Sequence, residues 1–100
     1  MLKIMAVCGA GLGSSFVAQM SIERVMKKLG VDAKVDHTDV ASIGGFANSV
    51  DLIVAASTYE KQIRGKVPAD KPLVFLKSLV DVNEIESRVS PVLKGMGVIS

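Results

Sequence analysis

Apolar residues follow two rhythms along this chain, and the changes between them mark the elements. Residues 2–7, LKIMAV, are apolar except for Lys3, the profile of a strand covered on both faces. From about Ser14 the spacing lengthens. Ala18, Ile22, Val25 and Leu29 fall on one side of a predicted helix, with Gln19, Glu23, Lys27 and Lys28 on the other. Ser14 or Ser15 suits its start, Gly30 suits its end, and Glu23 with Lys27 is a favourable i,i+4 pair. Residues 31–38 alternate, Val31, Ala33 and Val35 against Asp32, Lys34 and Asp36, which predicts a second, less buried strand.

A short helical turn over 39–43 precedes Gly44 and Gly45. Residues 50–56, VDLIVAA, form the most apolar stretch and predict a third strand. Ser57 and Thr58 are placed to cap a short helix reaching Ile63. A loop over 68–72, with a proline at each end, leads to a fourth strand, LVFL, at 73–76. Asp81 with Glu84 forms a capping-box pattern for a last helix, with Ile85, Val89 and Val92 inward and Pro91 expected to kink or interrupt it. For residues 95–100, GMGVIS, the pattern leaves packing open.

Strands alternating with helices give an α/β fold: a small open four-stranded parallel sheet with helices on both faces. In the common small arrangement of this kind the strand order is 2-1-3-4. Ligands then bind where the chain reverses direction, between the ends of strands 1 and 3. The loops lining that point are residues 8–15 and 56–59.

Composition narrows the function classes. The 100 residues make one domain, 1–100, able to bury roughly two-thirds of its unfolded surface without disulfides or metal. A formal net charge of +2 from dispersed residues does not point to nucleic acid. One Cys with one His cannot build a usual zinc site, and no cofactor is indicated. A single free thiol fits a reducing, cytoplasmic setting. No apolar run approaches the roughly 18 residues of a membrane span, so any membrane role is expected to come through a partner.

The chemistry gathers at residues 6–15, AVCGAGLGSS. Lone cysteines are often inert and buried, but Cys8 ends a predicted strand directly before a glycine-rich loop. Gly9, Gly11 and Gly13 allow backbone N–H groups to turn toward an anion, the following helix adds the positive end of its dipole, and Ser14 and Ser15 add hydroxyls. A thiol beside such a nest is expected to ionise more readily than a free one. Three known loops compete. The ATP-binding loop requires a lysine that is missing here. The dinucleotide pattern G-x-G-x-x-G has Ser14 in place of its third glycine. In the Cys-x5-Arg-Ser/Thr loop of tyrosine phosphatases, Cys8 and Ser15 match the ends, but Ser14 replaces the arginine that grips transition-state charge.

With its following amphipathic helix and four β/α units, VCGAGLGSS resembles the enzyme IIB components of the bacterial sugar phosphotransferase system, most closely the ascorbate type of the ascorbate/galactitol group. The resemblance covers essentially the whole chain, although only the cysteine loop is specific. It implies a phosphocarrier that accepts a phosphoryl group from a phosphohistidine of enzyme IIA and passes it to a sugar held by the membrane component, enzyme IIC. By the same match Cys8 is the phosphorylated nucleophile, and Gly9, Ala10, Gly11, Leu12, Gly13, Ser14 and Ser15 form its phosphate loop. The family commonly has Asn where this chain has Ala10. The alternative on the same fold is a small cysteine phosphatase or arsenate-reductase-like enzyme; a nucleotide-binding module with an inert cysteine is a third.

Other residues carry weaker signals. His37 lies near the end of strand 2, away from the switch point, and reads as a partly exposed polar residue rather than a proton or phosphoryl carrier. Ser57 and Thr58 end strand 3 beside the crevice and suit either a helix cap or a phosphate contact. Lys61 and Arg64 read as a solvated face, while Phe16 and Leu12 at the loop rim suit either packing or partner docking.

Overall fold

Four parallel strands lie in the order β2-β1-β3-β4, as the sequence pattern predicts. They are β1 (Leu2–Cys8), β2 (Ala33–Asp39), β3 (Leu52–Ala56) and β4 (Leu73–Leu76). The structure is a computed structural model describing residues 1–8 and 12–99, with the side chains of residues 12–15 also outside the description.

Alternation within each strand divides the core between the two faces of the sheet. Ile4, Ala6, Leu52, Val54, Val74 and Leu76 face α1 (Leu12–Lys28) and α3 (Val82–Gly95), which pack on them through Ile22, Val25, Met26, Ile85, Val89 and Leu93. Met5, Val7, Ile53 and Ala55 face the other way. Among the described residues that second face is covered by short pieces: the 3₁₀ turns Ile43–Gly45 and Ala47–Ser49 and the five-residue α2 (Glu60–Arg64), through Ile43, Ala47 and Ile63. Cover on both faces explains why β1 and β3 read as nearly unbroken apolar runs. In the edge strand β2 only Val35 is fully buried, which explains its alternation.

Several boundaries differ from the pattern. Strand β1 runs one residue further than expected, so that Cys8 is its last residue. Helix α1 begins at Leu12, so Ser14 and Ser15 belong to its first turn rather than preceding it. Strand β2 starts at Ala33, two residues late, because the chain first completes the α1 exit. There Gly30 adopts φ +73°, and the Val31 N–H donates to the Met26 carbonyl at 2.9 Å, closing the last turn. Ser57 and Thr58 do not cap a helix with their side chains: Ser57–Tyr59 is a 3₁₀ turn leading into α2.

The last helix keeps half of its predicted box. Asp81 caps it, its carboxylate accepting from the Asn83 and Glu84 amides at 3.0 and 3.2 Å. Glu84 instead turns outward, accepting from the Lys77 and Ser78 amides at 2.7 and 2.9 Å, and so ties down the loop after β4. Pro91 sits within α3, which continues to Gly95. Pro91 and Ser87 are both exposed, so the carbonyl that loses its usual i+4 donor opens to solvent rather than to the core. Residues 95–99 pack rather than trail away: Gly97 at φ +78° repeats the Gly30 turn, and Met96 and Ile99 lie against the core.

Candidate functional site

Parallel strands direct all their carboxyl ends to one edge of the sheet, and Cys8 occupies the middle of that edge. It stands level with Asp39 of β2, while Val7 pairs with Ala55 of β3, so Cys8 is level with the end of β3. This is the point where the chain order reverses, as expected. The thiol is buried, its residue 3% exposed.

Of the predicted phosphate loop, Gly9, Ala10 and Gly11 lie outside the described residues. Leu12, Gly13, Ser14 and Ser15 form the first turn of α1, which contains no acidic residue. Backbone N–H groups at a helix start lack intrahelical partners and favour negative charge. Only three residues separate this start from Cys8, and it carries no carboxylate of its own.

Beside it, at the end of β2, Asp39 turns its carboxylate back onto Ser42, whose amide donates to Oδ1 at 2.8 Å. Hydrogen bonding from the Ser42 side chain, and then from its amide, holds the Asp39 carboxyl below the usual aspartate value. Its charge is thus engaged locally. Sequence reading treated Asp39 only as the start of a turn; the Asp-x-x-Ser spacing was the signal for this role.

His37 is exposed and sits two residues before Asp39 on β2, with Nδ1 at 2.6 Å from Gln19 Oε1 of α1. An amide oxygen only accepts, so Nδ1 carries the proton and donates. The Phe16 ring approaches edge-on, with centroids 6.3 Å apart. His37, read from the sequence as a partly exposed polar residue, is exposed and joins β2 to α1. Phe16, Val17 and Met20 make an exposed apolar strip along the first turns of α1, on the side of the helix nearest its start. Ser57 and Thr58 are exposed at the end of β3 and free of capping bonds from their side chains. Arg64 is held by Glu60 at 2.8 Å and lies 5.0 Å over the Phe75 ring, whereas Lys61 enters no ion pair among the described residues.

Among the described residues no group of three or more His, Cys, Asp or Glu is arranged to hold a metal ion. No described helix is long and apolar enough to cross a membrane.

Comparison with known proteins agrees with this fold. The family model for the lactose/cellobiose-specific IIB subunit of the phosphotransferase system matches residues 3–90. The chain belongs to this IIB family. It is 33% identical to the ascorbate-specific phosphotransferase EIIB component of Mycoplasma pneumoniae, over 92% of this chain and 95% of that protein. The ascorbate-specific EIIB component of Escherichia coli O157:H7 is 24% identical over 93% of this chain and 90% of that one. Among solved structures, the lactose-specific IIB domain of Streptococcus pneumoniae superposes with a TM-score of 0.64 at 17% identity, covering 95% of this chain and 93% of that one. A low-molecular-weight phosphotyrosine phosphatase of Vibrio cholerae O395 reaches 0.62 at 13% identity, covering 97% of each. At those identities the two structures establish a shared fold.

As a IIB component this chain is a phosphotransferase that carries phosphoryl groups in sugar uptake, working with IIA and IIC partners. The phosphatase likeness is one of architecture. Ser14 stands where the phosphatase loop has arginine, and the Asp81 carboxylate after β4 is occupied by two helix amides.

Proposed function

We propose that Cys8 is the residue this carrier phosphorylates, with residues 9–15 as the loop that holds the phosphoryl group. The main support is the position of Cys8: last in an inner strand, at the switch point, just ahead of a helix start without acidic side chains. The Sγ thiolate attacks the phosphorus of a phosphohistidine on enzyme IIA. The S–P bond forms as the P–N bond breaks, and the imidazole leaves with the bonding pair. In the second step a hydroxyl of the sugar held by enzyme IIC attacks the same phosphorus. The O–P bond forms, the thiolate departs with the S–P pair, and the hydroxyl proton passes to a base or to water. Backbone donors at the start of α1 offset charge on the transferring oxygens in both steps.

The exposed strip of Phe16, Val17 and Met20 on the helix that follows the cysteine loop gives the donor protein an apolar surface. The named specificity of the relatives favours an ascorbate-like sugar. The chain acts as one domain in the cytoplasm, touching the membrane only through IIC. Intact mass after incubation with phosphorylated IIA tests the assignment. Wild type should gain one phosphoryl group and Cys8→Ser none; labelling that survives Cys8→Ser would place the phosphoryl group elsewhere.

The phosphatase alternative predicts turnover of p-nitrophenyl phosphate. Without an arginine at position 14 to stabilise the transferring oxygens, hydrolysis by the wild type should be negligible. Rapid turnover would favour the phosphatase.

A further inference from the structure

The sheet has two edges, and they are protected very differently. Edge strand β2 carries exposed Lys34, Asp36 and His37, charged and polar groups that discourage pairing with another chain. Edge strand β4 is Leu73-Val74-Phe75-Leu76, without a charge or a proline. The Ile53 amide donates to the Pro72 carbonyl at 3.1 Å, which sets the parity of the β3–β4 ladder. Val74 and Leu76 turn their backbone groups toward β3, and Leu73 and Phe75 turn theirs outward, where the sheet ends.

Along this edge runs a groove of about 320 Å³ with Leu73, Val74 and Phe75 at its floor. Glu60 and Arg64 of α2 form one wall, and Arg88 and Val92 of α3 the other. Arg64 is already matched, by Glu60 and by the Phe75 ring. Arg88 is exposed and enters neither ion pair found among the described residues.

We propose that the outer edge of β4 receives an extended segment of a protein partner as a fifth strand, with an acidic side chain meeting Arg88. The N–H and C=O groups of Leu73 and Phe75 would supply the ladder, and the two walls would read alternate side chains. Side chains facing α2 would lie on Phe75 and the stem of Arg64; those facing α3 would set a carboxylate against Arg88 beside Val92. A second copy of this chain fits poorly. Two β4 strands would bring arginines of like charge together, and the one carboxylate lining each groove, Glu60, is already bonded to Arg64. This inference is independent of the role of Cys8.

A fluorescent, acetylated peptide of alternating Val and Glu is the probe, titrated against the full chain by anisotropy. It should bind at least about tenfold more tightly than the Val/Lys peptide, and Arg88→Glu should abolish or reverse that preference. Methylating alternate amides of the peptide should remove binding, because a strand then loses its donors. Amide exchange should show new protection at Leu73 and Phe75. Equal binding of the Val/Lys or methylated peptide, or protection at β2 instead, would overturn the proposal. So would concentration-dependent self-association that protects the β4 edge without peptide, since it would make a second copy the occupant.

Discussion

The two outer strands and the two inner strands finish at the same edge of the sheet, but they finish in different ways. After β2, Asp39 accepts the Ser42 amide; after β4, Asp81 and Glu84 together accept four amides. The inner strands end without such carboxylates. The first turn of α1 after β1 has no acidic residue, and the turn after β3 has no side-chain cap, while the nearby Glu60 is spent on Arg64. Where the chain supplies its own anion, the backbone donors are occupied. Between the inner strands the proposed function puts the transferred phosphoryl group at that position, level with Cys8.

The strongest way to break this contrast is to make an inner end resemble an outer one. Ser14→Asp puts a carboxylate into the first turn of α1. Phosphoryl transfer from phosphorylated IIA should fall by about 10²-fold or more, comparable to losing an oxyanion donor. Thermal stability should hold or rise, because an acid at a helix start adds about 0.3–1 kcal/mol. Transfer rates within about threefold of wild type would mean that the loop does not bind phosphoryl through this turn.

The second test concerns the thiol itself. If the start of α1 favours an anion, Cys8 should be alkylated by iodoacetamide with an apparent pKa below the ~8.5 of a free cysteine. Ser14→Asp should move it back up. A wild-type value at or above that of a model thiol would show that the junction does not activate Cys8.

How much of this the residues announced depends on whether the signal was local. Strand order followed from alternating strands and helices in the common small arrangement, and the placement of Cys8 at the switch point from the apolar run before it, so both were legible. The fates of Glu84 and Ser57 were not. Glu84 had a suitable donor at the helix start, the Asp81 amide, but once β4 and α3 have packed its carboxylate accepts from the Lys77 and Ser78 amides and the Asp81 amide donates to the Ser78 carbonyl. Ser57 fell in a 3₁₀ turn, where no following helix amide is placed for its hydroxyl. Pro91 misled for a similar reason. Its effect depends on whether the carbonyl it frees faces solvent or core, and only the packed helix decides that.

A smaller effect is expected at the outer end after β4. Asp81→Ala removes the cap of α3 and should cost about 0.5–2 kcal/mol in urea unfolding. Glu84→Gln keeps an acceptor and should cost less. Neither change should move the Cys8 alkylation profile, since these carboxylates serve the fold. A shift in that profile with unchanged stability would join the two kinds of strand end that the comparison separates.

The smallest effect is expected at Asp39, the outer carboxylate directly alongside Cys8. Its carboxyl titrates below the ordinary aspartate value of 3.8, chiefly through the Ser42 side chain and then the Ser42 amide. A depressed carboxyl contributes stability that is present above the unfolded pKa and disappears as pH falls through the folded one. The group is fully exposed, so solvent screens the contribution and it should be slight. Asp39→Asn should therefore lower the urea midpoint a little at neutral pH. The gap from wild type should close on acidification below 3.8 and not reopen on the alkaline side. A gap that persists unchanged into acid would mean that Asp39 acts through the shape of its turn rather than its charge. Its carboxylate would then no longer count among the anions that mark the outer strand ends.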